Sequence, residues 1–235
     1  MLKATFVRSE DTADHIKTFW FEPEKPIHFV AGQFTELYLP HPNADERGVK
    51  HWFTISASPT DKLISITTKF AAEHGSTFKQ TLAALQPGAI VDIAEPMGDF
   101  VLPKDTTIPL VFIGGGIGIT PFHSMSKWLQ DTGEQRNIRM LYAANHLEEV
   151  AFRDLFESVT QDLKIILSDP PADWRGLTGH LTAEKIQELI PDLIAQRIYI
   201  SGPEPMVEVL GEDLEKQGIP KENLVIDYFP GYTPI

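Results

Sequence analysis

A chain of 235 residues has room for two small hydrophobic cores. With 42% hydrophobic residues, 23% charged residues and no cysteine, it reads as globular. It cannot contain disulfides, thiolate metal sites, a cysteine nucleophile or a cysteine-ligated iron-sulfur cluster. A formal net charge of −13 disfavours nucleic acid and anionic membrane surfaces as partners.

Up to about residue 103 the apolar residues tend to alternate. KATFV, HIKTFWF, QFTELYL, HWFTISA and LISITTK are short, rich in β-branched and aromatic residues, and separated by Pro, Gly, Asn and Asp. This pattern predicts an antiparallel β-barrel or sandwich. One helix interrupts it, STFKQTLAAL, opened by Ser76 or Thr77 and closed by Pro87-Gly88. LQPGAIVDIAEPMGDFVL reads as structural turns that close the barrel.

Beyond VLPKDTTIP the period changes. LVFIG, IRMLYAA, LKIILS, RIYISG and NLVIDYF look like buried strands, alternating with helices expected near Pro121, Glu148, Thr182 and Pro203. Such alternation predicts an α/β Rossmann-like parallel sheet. The domains are therefore expected at 1–103 and 104–235. The longest apolar runs are short and glycine-broken, and the N-terminus lacks a secretion-signal layout. A cytoplasmic location without membrane attachment is the expectation.

The densest glycine cluster, IGGGIGITPF, follows a predicted strand and opens a helix. That layout lets main-chain N–H groups receive a phosphate, and Pro121 fits the first helical turn, where its missing N–H costs nothing. Gly116, Gly118 and Pro121 form Gly-x-Gly-x-x-Pro, a weak signature alone, because such turns also serve tight strand-helix packing. No Lys-Ser/Thr follows, so it is not a Walker A loop.

Four motifs in order, HWFTISASP, GSTFKQTL, GGGIGITP and ISGPEPM, resemble the ferredoxin-NADP reductase-like flavoproteins from Gly32 to the C-terminal DYFPGY. In that family a flavin-binding barrel precedes a nicotinamide-nucleotide-binding domain. The family's Arg-x-Tyr-Ser/Thr reads here His51-Trp52-Phe53-Thr54. The resemblance implies that Phe53 offers a flat surface to the flavin ring and that Thr54 hydrogen-bonds its N5. The arginine that holds a flavin phosphate is missing, and a largely neutral histidine lacks its charge and fork geometry. Lys69, or less readily Lys50, would have to supply the charge. An ordinary barrel strand packing Trp52 or Phe53 inward would read the same.

By the same resemblance, Thr67, Thr68 and Lys69 line the flavin's ribityl chain, and Gly75, Ser76 and Thr77 offer donors to its phosphate. A plain helix N-cap is the competing reading. Gly115, Gly116, Gly118, Thr120 and Pro121 would hold the dinucleotide, and Gly202, Pro203 and Met206 the opposite lip. Ser201 replaces the family's cysteine beside the nicotinamide. Asp227, with Thr54, would relay a proton, and Phe229 would cover the flavin; equally, Asp227 ends a strand and Phe229 fills a core gap.

After IRMLYAA come Asn145, His146, Leu147, Glu148 and Glu149, with no cation where a 2′-phosphate would sit. Arg153 and Arg175 are the nearest substitutes. The implied function is hydride transfer from NADH, favoured over NADPH, to FAD or FMN, with electrons then passing to a carrier protein or a small oxidant. The alternative is an electron-transfer subunit that binds nicotinamide nucleotide with weak or no flavin binding. No histidine shows metal-site spacing with a carboxylate, so no metal is expected.

Overall fold

The computed structural model describes residues 1–70 and 75–228. The N-terminal part is an antiparallel six-stranded sheet built from β1 (Leu2–Ala13), β2 (Ile16–Pro23), β3 (Phe34–Tyr38), β4 (Lys50–Thr54), β5 (Ile64–Lys69) and β6 (Ile90–Ile93), in the order β4-β3-β6-β1-β2-β5. It closes because the chain beyond β4 reaches the last strand, with the Ser56 N–H donating to the Ser65 carbonyl at 2.8 Å. Closure removes the exposed sheet edge. Alternation turns Phe6, Phe19, Phe21, Leu37, Phe53 and Ile66 inward, where they pack with Phe78 and Leu82 of α1 (Thr77–Ala83). Full burial of each phenylalanine contributes on the order of 2 kcal/mol.

β6 is a correction to the sequence reading, which took its segment for turns. Ile90–Ile93 lies between β3 and β1, with Val91 and Ile93 in the core and Asp92 and Ile90 outward. Four residues between Pro-Gly and Glu-Pro are too few to show a period clearly.

The C-terminal part is a parallel sheet of β7 (Leu110–Gly115), β8 (Ile138–Ala144), β9 (Asp162–Leu167), β10 (Leu177–Thr178), β11 (Arg197–Gly202) and β12 (Leu224–Tyr228), ordered β10-β9-β8-β7-β11-β12. Helices α2 (Thr120–Thr132) and α3 (Arg153–Val159) cover one face, and α4 (Ala183–Leu189) and α5 (Glu204–Lys216) the other. Helices begin as expected near Pro121, Thr182 and Pro203. The one expected near Glu148 does not. Leu147–Glu149 is a single 3-10 turn, and α3 starts only at Arg153, after Phe152 in a left-handed conformation (φ 61°). The intervening Ala151 N–H is held by the Tyr142 hydroxyl at 3.2 Å, which interrupts helical bonding.

The two parts share a core. Ala31 and Phe100, from the barrel side, pack with Phe112, Phe122 and Tyr199, and the Phe100 ring lies edge-on to Tyr199 at 5.2 Å. Strand order reverses between β7 and β11, and in open parallel sheets that reversal leaves a crevice at the strands' C-terminal ends. Both glycine-bearing turns, after β7 and after β11, stand at this crevice.

Candidate functional site

The glycines after β7 do different jobs. A Cβ on Gly118 would meet Gly202 Cα at 2.4 Å and its N at 2.5 Å; one on Gly115 would meet Met206 Sδ at 2.6 Å and Pro203 Cδ at 3.2 Å; one on Gly114 would meet Ile119 at 2.7 Å. What excludes side chains here is protein, chiefly the other lip of the crevice. Gly116 alone in the cluster has a left-handed backbone (φ 51°) and open space where a Cβ would stand. A short 3-10 turn, Gly116–Ile119, then leads into α2 with Pro121 in its first turn, and Thr120 turns its hydroxyl back to the Ile117 carbonyl at 3.2 Å. The GGGIGITP and ISGPEPM motifs therefore meet directly.

HWFTISASP reaches the same place. Beyond β4 its chain runs under α2, where His123 Nδ1 donates to the Ser56 carbonyl at 2.8 Å and Ser124 Oγ to that of Ala57 at 2.7 Å. Burial favours a neutral imidazole and depresses the His123 pKa to about 4, and the Phe152 ring lies 3.8 Å away. Thr54 pairs across the sheet with Phe34, which in turn bridges Met97, and Asp99 beyond Met97 faces Asp227. Asp227, beside Ser201 on the neighbouring strand, is pushed up to about 6 by burial and then by Asp99.

Four hydroxyls in or beside these motifs are buried without a hydrogen-bond partner among the described residues: Thr54 Oγ1, Ser56 Oγ, Thr68 Oγ1 and Ser201 Oγ. An unpaired buried hydroxyl costs on the order of 1–3 kcal/mol, so each is a standing demand for a polar atom. That donor and acceptor set fits the heteroatom edge of a flavin or nicotinamide ring.

Alternation along β4 separates Phe53 from Thr54. Phe53 points into the barrel core and stacks on Phe78 (5.9 Å, 28°), while Trp52, half exposed, shares Thr54's face and tilts against Phe34 at 5.7 Å. His51 also turns inward, 4.3 Å from the Phe78 ring, and its pKa is lowered by burial and then by Lys79.

The second motif lies on the barrel flank with its groups already engaged. Ser76 caps α1 by accepting the Lys79 N–H. Thr77 donates its N–H to Asp45 Oδ2 at 2.9 Å and accepts the Asp45 N–H on its hydroxyl at 3.0 Å. A Cβ on Gly75 would meet nothing. Thr67 bonds Thr18 at 2.9 Å, and Lys69 Nζ forms a 2.6 Å ion pair with the buried Glu149 of the second domain. Phe229 lies outside the described residues. The sequence reading missed Arg47, a guanidinium that acts electrostatically on His51 and is tied to Asp45; its loop, HPNADERGVK, carries no motif that would single it out.

Residues 112–211 match the oxidoreductase NAD-binding domain family. Over 97% of its length the chain superposes, with a TM-score of 0.83 and 19% identity, on 98% of the flavohem-like FAD/NAD-binding domain of nitric oxide dioxygenase from Vibrio cholerae O1 biovar El Tor. Residues 112–211 thus carry an oxidoreductase NAD-binding domain, and the whole chain has the fold of that FAD/NAD-binding unit. In sequence it is 26% identical over 230 residues to the glycine betaine monooxygenase reductase subunit of Chromohalobacter salexigens, covering 93% of this chain and 61% of that protein. It is 29% identical over 232 residues to the flavohemoprotein of Pseudomonas aeruginosa, covering 94% and 57% respectively. The chain thus spans well under two thirds of either relative. Among the described residues, no helix is long and apolar enough to cross a membrane, and no three His, Asp or Glu side chains group to hold a metal.

Proposed function

We propose that this chain is an NAD(P)H-dependent flavin oxidoreductase unit, with FAD or FMN against the barrel and a nicotinamide nucleotide in the crevice between β7 and β11. Bound there, the flavin supplies hydride acceptance and onward electron transfer. The observations that carry this reading are the buried hydroxyls of Thr54 and Ser201, unpartnered among the described residues, and the Gly118-Gly202 contact beside Ser201.

In this reading the chain's own contribution is placement. Thr54 Oγ1 offers a hydrogen bond at the ring edge, and Ser201 shapes the opposite wall. Gly116, with its open left-handed backbone, admits the dinucleotide to the main chain, and Met206 and Pro203 brace the turn from the other lip. Holding two reacting rings about 3 to 3.5 Å apart supplies several kcal/mol of the barrier by proximity alone. Asp227, with a pKa near 6, holds or releases a proton close to neutral pH at the end of the sheet.

NADH is the favoured donor. The two arginines nearest in sequence to the loop that would meet a 2′-phosphate are occupied, Arg153 by Glu157 at 2.7 Å and Arg175 by the Trp174 carbonyl at 3.2 Å. Glu148 remains in the loop after β8, while Glu149 turns away to Lys69. The acceptor is a carrier protein or a small oxidant, and relatives named as monooxygenase reductase subunits favour a partner protein.

Reconstitution with FAD and with FMN, desalting, and anaerobic mixing with NADH or NADPH tests the proposal. A retained flavin absorption band that NADH bleaches faster than NADPH is expected. A desalted protein without the band would refute it.

A further inference from the structure

The loop between β3 and β4 places an internal carboxylate among more cationic and donor groups than one ion pair needs. Asp45 Oδ2 accepts the Thr77 N–H at 2.9 Å and the Arg47 Nη2 at 2.8 Å, and Oδ1 accepts the Arg47 N–H at 3.0 Å. His41 Nε2 bonds the same Thr77 hydroxyl at 3.1 Å. His51 and Lys79 complete the cluster: both Lys79 and Arg47 act electrostatically on His51, whose Nε2 is buried without a partner among the described residues. Arg47, followed by Thr77, holds the Asp45 carboxyl well below the usual carboxylate range. A guanidinium fork and a main-chain N–H on one oxyanion, with the His51 imidazole close by, form a set suited to phosphate.

We propose that Arg47 holds the phosphate of a flavin nucleotide and that Asp45 is its intramolecular stand-in, displaced when the nucleotide binds. This rests on the flavin reading above and adds to it the residue that meets the anion. Arg47 is half exposed and, among the described residues, its side-chain hydrogen bonds go to Asp45, so it can re-aim toward a second oxyanion without disturbing the core. The exchange conserves pairing: guanidinium and Thr77 N–H trade one oxyanion for another, and Asp45 passes to water, which solvates its carboxylate.

The test compares riboflavin, which lacks phosphate, with FMN and FAD, by quenching of flavin fluorescence on wild type, Arg47→Ala and Asp45→Asn. Arg47→Ala should weaken FMN and FAD roughly ten- to a hundredfold while leaving riboflavin unchanged. Asp45→Asn, which keeps an acceptor for Thr77 but removes the competing charge, should tighten FMN and FAD severalfold and again leave riboflavin unchanged. Thermal melting of each variant reports whether the loop still folds. FMN and FAD binding to Arg47→Ala at wild-type strength would overturn the proposal while leaving the flavin reading intact; so would equal weakening of riboflavin, which would make Arg47 structural. Failure of wild type to bind any of the three flavins would overturn both.

Discussion

The junction between the domains and the flank beside α1 carry the same kinds of polar group in opposite states. At the junction Thr54 and Ser201 are buried with hydroxyls unanswered among the described residues. On the flank Thr77 is answered twice over by Asp45 and once by His41. A group left unpaired in the interior lowers stability until something binds it, whereas a group paired internally must give up a bond before it can bind. The junction is thus poised for a ring, and the flank for an exchange.

The largest expected effect separates packing glycines from open ones. Gly118→Ala drives a Cβ into three main-chain atoms of Ser201 and Gly202 that cannot rotate away, and should cost about 3 kcal/mol or more. Gly116→Ala meets no atom and pays only for its left-handed backbone, about 1 to 2 kcal/mol. Urea denaturation of the two variants should rank them in that order; equal losses would mean the two lips of the crevice do not touch as described.

Acid should loosen the junction next. An unfolded histidine titrates near 6.5, and His123 is held to about 4 in the fold, so its contribution is full above the unfolded value and is lost as pH falls through the folded one. Between pH 7 and pH 4.5 this amounts to about 2 kcal/mol, discounted for partial exposure. His123→Gln should flatten the stability profile by that amount over that window, and an unchanged slope would remove the imidazole from the latch.

The smallest effects have opposite signs. Thr54→Val replaces an unpartnered hydroxyl with a methyl group of similar shape, so the flavin-free protein should gain about 1 kcal/mol while flavin reduction slows. Thr77→Val removes a hydroxyl that two groups share and should lose about 1 kcal/mol. Thermal melts of both variants check the pair, and a shared sign would erase the contrast between the two regions.

Much of this architecture is written in local pattern. Strands with a face of Phe19, Phe21 and Leu37, and fully buried runs such as LVFIG, announce two different sheets because their periods differ. β6 and the start of α3 were less legible, since the first is four residues long and the second is decided by a tertiary bond from Tyr142 to Ala151. Sequence also merged the roles of the glycines, because only the folded chain brings Gly202 against Gly118. Likewise, the substitution of histidine at position 51 was visible in the sequence, but the nearness of Arg47 to it depends on how the β3–β4 loop folds back on α1.

The most direct test is a crystal structure of the flavin-loaded protein. The account predicts the ring edge within hydrogen-bonding distance of Thr54 Oγ1, facing the turn where Gly118 meets Gly202. A ring bound elsewhere, with Thr54 Oγ1 still unpartnered, would contradict it.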